Sequence, residues 1–253
     1  MALKLKQIES YLQEVESFGK RFLMDYILPS ILIFQENKNP KLEFEQYPTT
    51  AHLAAQMLYT AQNSFDDIEG KAVADLGCGC GMLSIASAIV GASHITGLEI
   101  DNDAIEIFQS NVEEFDGMPP IDIINLNLML KSIDICDQNS NSNHAKILES
   151  NMALLDKMEK RFDTVVMNPP FGTKPGNKGI DFVFLKIASF ISNGAIYSLH
   201  KTSTRDYITK SAKKLGYTAQ VIAKLKFDIP KMYSFHKKAS VDVYVDFIRF
   251  API

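Results

Sequence analysis

At 253 residues the chain has room for one sizeable α/β domain and would be cramped as two. Apolar residues at 46% and charged residues at 22% are the ordinary balance of a soluble globular protein, and three cysteines (Cys78, Cys80, Cys136), two of them in a glycine turn, exclude a disulfide framework and argue for a reducing compartment. The net charge of −4 speaks against a general nucleic-acid binder, but from His200 to Lys238 ten basic residues face two acids, so that this segment carries +8 and the remainder −12.

The N-terminal MALKLKQIESYLQEVE reads as an amphipathic, mixed-charge helix with no signal-peptide core. Phe22 to Phe34 is strongly apolar, but its 13 residues include Asp25 and Pro29, too short and too broken for a membrane span. Residues 19–35 interrupt what is otherwise a short connection to LEFEQYP. They read in two ways. One is an apolar helical insertion, whose cost is exposed apolar area. The other is a retained short intron, since Gly19-Lys20-Arg21 is encodable from GTAAG and Ile31-Leu32-Ile33-Phe34-Gln35 from a pyrimidine-rich tract ending in CAG.

Further along, Pro48-Thr49-Thr50 opens a helix expected over 48–65. Alternating units follow: strand 71–76, helix 81–90, strand 94–99, helix 102–115 and strand 121–126. A polar tract centred on DQNSNSNH (137–144) marks a loop insertion over 132–158. The pattern resumes with strand 162–167, helix 180–191, strand 194–199, helix 202–215, strand 218–227 and strand 240–249. Strands alternating with helices imply a mostly parallel sheet covered on both faces. No helix separates the last two strands, so they should pair antiparallel as a hairpin. The expectation is a single α/β domain with the Rossmann-like, seven-stranded sheet of class I methyltransferases. Its third strand, apolar from Ile121 to Leu130, should lie at an open edge that invites a partner unless the insertion covers it.

Two motifs carry chemistry. The strand Val73-Ala74-Asp75-Leu76 runs into Gly77-Cys78-Gly79-Cys80-Gly81 and then a helix. Glycines at alternate positions let the chain reverse and let a ligand approach the backbone. The spacing D-x-G-x-G-x-G differs from the dinucleotide fingerprint and points to S-adenosylmethionine. Glu99, ending the next strand, can accept from both ribose hydroxyls. The second motif, Asn168-Pro169-Pro170-Phe171, closes a buried strand where open α/β sheets bind ligands. An exocyclic amine conjugated to a ring is a poor nucleophile. If Asn168 Oδ1 and the Pro169 carbonyl each accept one of its N–H groups, the nitrogen is drawn toward sp³ geometry and its lone pair is aimed at the sulfonium methyl. Phe171 can stack on the base. Positioning and electrostatics then suffice without a strong base. A glycine turn or a Pro-Pro turn alone could be structural; the two together in this topology favour catalysis.

These residues resemble the methyltransferase-like-five family, adenine N6-methyltransferases of small-subunit ribosomal RNA. The matching stretches are Glu45-Gln46-Tyr47-Pro48-Thr49, ADLGCGCG (74–81), VVMNPPFGTK (165–174), YSLHK (197–201) and FHKKASVDVYVDFIRF (235–250). The resemblance covers most of the chain outside 19–35 and 132–158. It implies that Gln46, Thr49, Asp75, Gly77, Cys80, Gly81, Met82, Glu99, Asn127 and Leu128 surround S-adenosylmethionine. It further implies that Asn168 to Phe171 hold the target adenine. The family works as a heterodimer with a small zinc-binding methyltransferase activator protein, which holds the zinc, in the nucleus (nucleolus) and cytoplasm, with no membrane association. One position departs from the family pattern: Asn127 stands where an Asp contacts the cofactor's adenine amine, and a neutral acceptor is worth roughly 1 kcal/mol less than a charged one.

His200, Lys201, His236, Lys237 and Lys238 are expected to meet RNA phosphates, because the segment around them is basic. Tyr47, Phe171 and Phe235 are candidate stacking residues, with a core role equally open to Phe235. His52, His94 and His144 lack ligand spacing, and no metal site follows from them. Two other functions fit the same motifs: a protein glutamine N-methyltransferase, since a side-chain amide also presents a planar NH₂, and a non-catalytic RNA-binding assembly factor.

Overall fold

The structure, a computed structural model, describes residues 35–36, 41, 44–46, 49–115, 117–128, 151–172, 177–230 and 240–253. The expected N-terminal helix and the apolar segment up to Phe34, with the polar centre of the insertion, lie outside the described residues.

Seven strands form one sheet. β1 (Ala72–Leu76), β2 (His94–Glu99), β3 (Ile121–Asn125), β4 (Phe162–Met167), β5 (Ser192–Lys201), β6 (Tyr217–Pro230) and β7 (Ser240–Pro252) are arranged in the order β3-β2-β1-β4-β5-β7-β6. The first five run parallel, and β7 joins antiparallel between β5 and β6. The chain reverses direction across the sheet between β1 and β4, which opens a crevice above their carboxyl ends. β3 lies at one edge, as the expected sheet layout required.

Among the described residues, α1 (Ala51–Phe65), α2 (Met82–Val90), α3 (Asn102–Glu113), α4 (Ile180–Ile191) and α5 (Arg205–Lys214) cover the two faces. α1 starts where Thr50 Oγ1 accepts from Leu53 N–H, and ends where Asp66 turns left-handed and caps the Ala61 and Gln62 carbonyls. Side-chain alternation along the strands then sorts the core. Ala74, Leu76, Val165, Met167, Ile196 and Ile248 face α4 and α5, whose Phe184, Leu185, Ile208 and Ala212 complete that cluster. Val73, Val166, Tyr197, Leu199 and Phe247 face α1 and α2, with Met57, Leu58 and Leu83.

The structure corrects the expected elements in three places. Residues 151–157, within the expected loop insertion, are helical, and Leu155 and Met158 join the core cluster under α4. Residues 202–215 split into a 3₁₀ turn (Thr202–Thr204) and α5. Thr204 Oγ1 donates to the Lys201 carbonyl, the local bonding by which Thr competes with regular helix. β6 and β7 are also longer than expected: β5 pairs with β7 only as far as Lys201↔Val245, while the β6–β7 ladder continues to Pro230↔Ser240. A two-stranded ribbon therefore projects past the sheet, on the same edge as the carboxyl ends of β1 and β4.

Candidate active site

Register brings the two motifs together. Leu76 of β1 pairs with Met167 of β4, so Gly77 and Asn168 leave adjacent strands side by side, about 5 Å apart as neighbouring strands are.

The glycine loop is shaped by close approach. Gly77, Gly79 and Gly81 all have positive φ, and a Cβ on Gly81 would sit 2.1 Å from the Phe108 ring of α3. Glu99, 6% exposed, anchors the loop: its Oε2 accepts from Gly79 N–H and its Oε1 from Ile100 and Asp101 N–H, all at 2.9 Å. Burial raises its pKa, and the three backbone donors offset part of that rise. The carboxylate is thus fixed at the end of β2, level with the loop. Asp75 is buried below the loop. Its Oδ2 accepts from Ser84 Oγ at 2.7 Å, its Oδ1 has no partner, and burial lifts its pKa to about 7. Cys80 and Met82 are half-buried, as is Asn127 two residues past β3, while Leu128 is buried.

The segment before α1 is tied to this loop by side chains. Gln46 Nε2 donates to Asp101 Oδ2 at 2.8 Å and Gln46 Oε1 accepts from Lys41 N–H. Lys41 Nζ donates to Asp101 and, at 2.8 Å, pairs with Asp103. Burial pushes the Asp101 carboxyl up, but the bonds from Lys41 and Gln46 outweigh it and hold it below its ordinary value. Asn111, fully buried on α3, exchanges two hydrogen bonds with the Gln35 backbone and donates a third to the Cys80 carbonyl at 2.9 Å. Lys41, Asp101 and Asn111 were not singled out from the sequence. Only Asp101 left a readable signal there, as the N-cap position ahead of an acidic first turn.

On the other side of the crevice, Asn168 Nδ2 donates to Thr49 Oγ1 at 3.0 Å. Pro169 is buried and Pro170 half-buried, and the Phe171 ring, 4% exposed, sits in the cluster with Leu199 and α1, where it anchors the turn to the sheet. The turn leads into α4, whose Asp181 lies 3.3 Å from His200 Nδ1.

His200 therefore corrects an expectation. It lies inside β5 with no exposed surface, its ring edge-on to Phe250, and cannot meet a phosphate. Lys201, one residue on, is half-buried at the strand's end. His236, Lys237 and Lys238 lie outside the described residues, as do Tyr47 and Phe235.

A seven-stranded sheet with its last strand inserted antiparallel, a D-x-G-x-G-x-G loop, and an N-P-P-F turn at the adjacent strand define a class I methyltransferase, with S-adenosylmethionine as its methyl donor. Residues 46–168 match the model of the ribosomal protein L11 methyltransferase (PrmA) family. The rRNA N(6)-adenosine-methyltransferase METTL5 of Danio rerio is 46% identical over 250 residues, covering 99% of this chain and 100% of the relative. The Drosophila melanogaster Mettl5 is 43% identical over 98% of this chain and 96% of its own length. A candidate RNA methyltransferase from Pyrococcus horikoshii, 31% identical, superposes with a TM-score of 0.66 over 88% of this chain and 95% of its own. The chain belongs to the METTL5 family of rRNA N6-adenosine methyltransferases.

Proposed function

We propose that this enzyme methylates N6 of an adenosine in small-subunit ribosomal RNA, and that the Asn168-Pro169-Pro170-Phe171 turn performs the transfer by orienting the amine. The observation that carries the mechanism is the Asn168–Thr49 bond. Thr49 Oγ1 takes an N–H from the amide's donor end, which restrains the amide plane, and Oδ1 is the amide's acceptor end. The Pro169 carbonyl, held by a ring on each side, is the second acceptor.

With both N–H groups held, the N6 lone pair attacks the methyl carbon of the sulfonium. The new C–N bond forms as the C–S bond breaks, the sulfur leaves with the electron pair as a neutral thioether, and the nitrogen, now positive, sheds a proton to solvent. Glu99 serves the ribose and the glycine loop the methionine end; Gln46 and Asp101 brace the segment that covers them. Asn127 gives the cofactor adenine an uncharged acceptor. The +8 segment supplies the attraction for RNA. A small zinc-binding activator protein as partner, and work in the nucleolus and cytoplasm, complete this reading.

A protein substrate is the competing reading, since the L11 methyltransferase model also matches. That match ends at Asn168, so it spans the cofactor half and none of the basic C-terminal third, whereas the relatives named for ribosomal RNA align along almost the whole chain. The test is transfer from radiolabelled S-adenosylmethionine to small-subunit ribosomal RNA and to ribosomal protein. The RNA reading expects label that ribonuclease removes and that digests to N6-methyladenosine; label resistant to ribonuclease sinks it.

A further inference from the structure

Consecutive side chains ahead of α1 reach both halves of the crevice. Gln46 goes to the end of β2, where Asp101 accepts from it at 2.8 Å. Glu45 goes to the chain beyond β4, where its Oε1 accepts from Asn177 Nδ2 at 3.1 Å. β2 and β4 flank β1 on opposite sides, so two adjacent residues span the width of the site. Glu45 is 4% exposed and holds a left-handed backbone, φ 49°. A residue with a Cβ keeps that conformation where the bonds around it hold it there. A carboxyl side chain is also costly to bury, so packing alone does not select glutamate here.

Asn177 is pressed against the catalytic turn. Its carbonyl oxygen would lie 2.7 Å from a Cβ on Gly172, the residue that follows Phe171. The same oxygen accepts from Ile180 N–H at 3.0 Å, at the start of α4. Glu45 therefore holds the far end of the turn whose near end, Asn168, is held by Thr49. On the cofactor side, Asp101 N–H donates to the Glu99 carboxylate, which in the reading above serves the ribose. Glu99, Asp101, Gln46, Glu45 and Asn177 form one connected line from the methyl donor to the turn that holds the amine.

We propose that Glu45 is a positioning residue that couples the two ligands: seated on Asn177, it makes S-adenosylmethionine and the target RNA each strengthen the binding of the other. A cofactor that fixes Asp101 fixes Gln46, and the adjacent Glu45 then sets the turn before RNA arrives. Each ligand spares the other part of the ordering cost, and by linkage the gain is the same in both directions. This rests on the RNA reading above and adds to it how the two halves of the site are kept in step.

The test uses the full chain with its activator protein and small-subunit ribosomal RNA. Binding of radiolabelled S-adenosylhomocysteine, which has no methyl to transfer, is followed by equilibrium dialysis. Wild type should bind it about 10-fold more tightly when the RNA is saturating. Glu45→Ala should reduce that gain to less than about 2-fold, while its affinity without RNA stays within about 2-fold of wild type. Glu45→Gln keeps an acceptor oxygen for Asn177 and should keep the gain. Asn177→Ala leaves the backbone bonds in place; it should behave like Glu45→Ala, and it carries the test if that variant melts early. The double variant should be no worse than either single change, because both remove one bond. Full coupling in Glu45→Ala and Asn177→Ala, or none in a wild type that methylates the RNA, overturns the proposal while the RNA enzyme stands. A Glu45→Gln variant as impaired as Glu45→Ala overturns it too, since the bond to Asn177 is then not what acts. If wild type labels only protein, the RNA reading has failed and the coupling falls with it.

Discussion

Asn168 and Thr49, 119 positions apart in the chain, meet side chain to side chain at 3.0 Å, so the amide at the tip of β4 is oriented by the residue just ahead of the α1 cap. The hydroxyl's job is that of an acceptor. Thr49→Val removes it without changing shape, and kcat on ribosomal RNA should fall about fivefold, the value of one neutral hydrogen bond of roughly 1 kcal/mol. Thr49→Ser, which keeps the acceptor, should recover most of it. Equal kcat in Val and Ser variants by steady-state kinetics would show that Thr49 does not set the amide.

The glycine loop has no room above Phe108. Gly81→Ala must place a Cβ 2.1 Å from that ring at φ 90°, so the loss should be at least about 2 kcal/mol, from steric overlap together with left-handed strain. Thermal or denaturant unfolding reads this directly. Gly79→Ala, with nothing within 4 Å of its added Cβ, should cost less than Gly81→Ala.

Asp75 makes stability depend on pH in a definite direction. Its folded-state pKa of about 7 lies above the ordinary 3.8, because burial disfavours the charged form. Between those values the folded state holds a proton that the unfolded chain has released. The stabilisation is therefore complete below about pH 4 and is lost as pH rises through about 7, on the order of a few kcal/mol in all. Asp75→Asn, neutral at every pH, should melt higher than wild type at pH 8, with the gap closing as the pH is lowered toward 4. Parallel melting curves across that range would contradict the burial argument.

His200 on β5 and Asp181 on α4 form a buried pair, and His200 Nε2 is already without a partner. Removing one member strands the other, at about 1–3 kcal/mol. His200→Leu and Asp181→Leu should each destabilise by that much, and the double variant by clearly less than their sum. Additive losses in denaturant titrations would mean that the two side chains do not act as a pair.

Much of this architecture is legible in the sequence where local pattern and burial agree. β2, β4 and α4 occupy the residues expected of them, because alternation, helical period and flanking glycines all point one way. The glycine loop, Glu99 and the N-P-P-F turn are equally visible, since each is a contiguous run or a fixed offset from one. What escapes is long-range side-chain chemistry. The Lys41–Asp101 pair spans 60 positions and the Asn111–Gln35 exchange 76, and neither leaves a spacing to read. The burial of His200 escapes for a different reason. The sequence pattern ends the strand at 199, whereas it runs to 201, and Asp181 on α4 takes the Nδ1 side of the ring in the interior.

In the proposed mechanism Asn168 acts on the target amine and not on the methyl donor. Single-turnover transfer from radiolabelled S-adenosylmethionine to small-subunit ribosomal RNA, measured beside calorimetric cofactor binding in wild type and Asn168→Ala, separates the two. The expected result is a rate at least about 100-fold lower, as when a positioned acceptor for the reacting group is lost, with cofactor affinity unchanged. An undiminished rate in Asn168→Ala, or a loss of cofactor binding equal to the loss of rate, contradicts it.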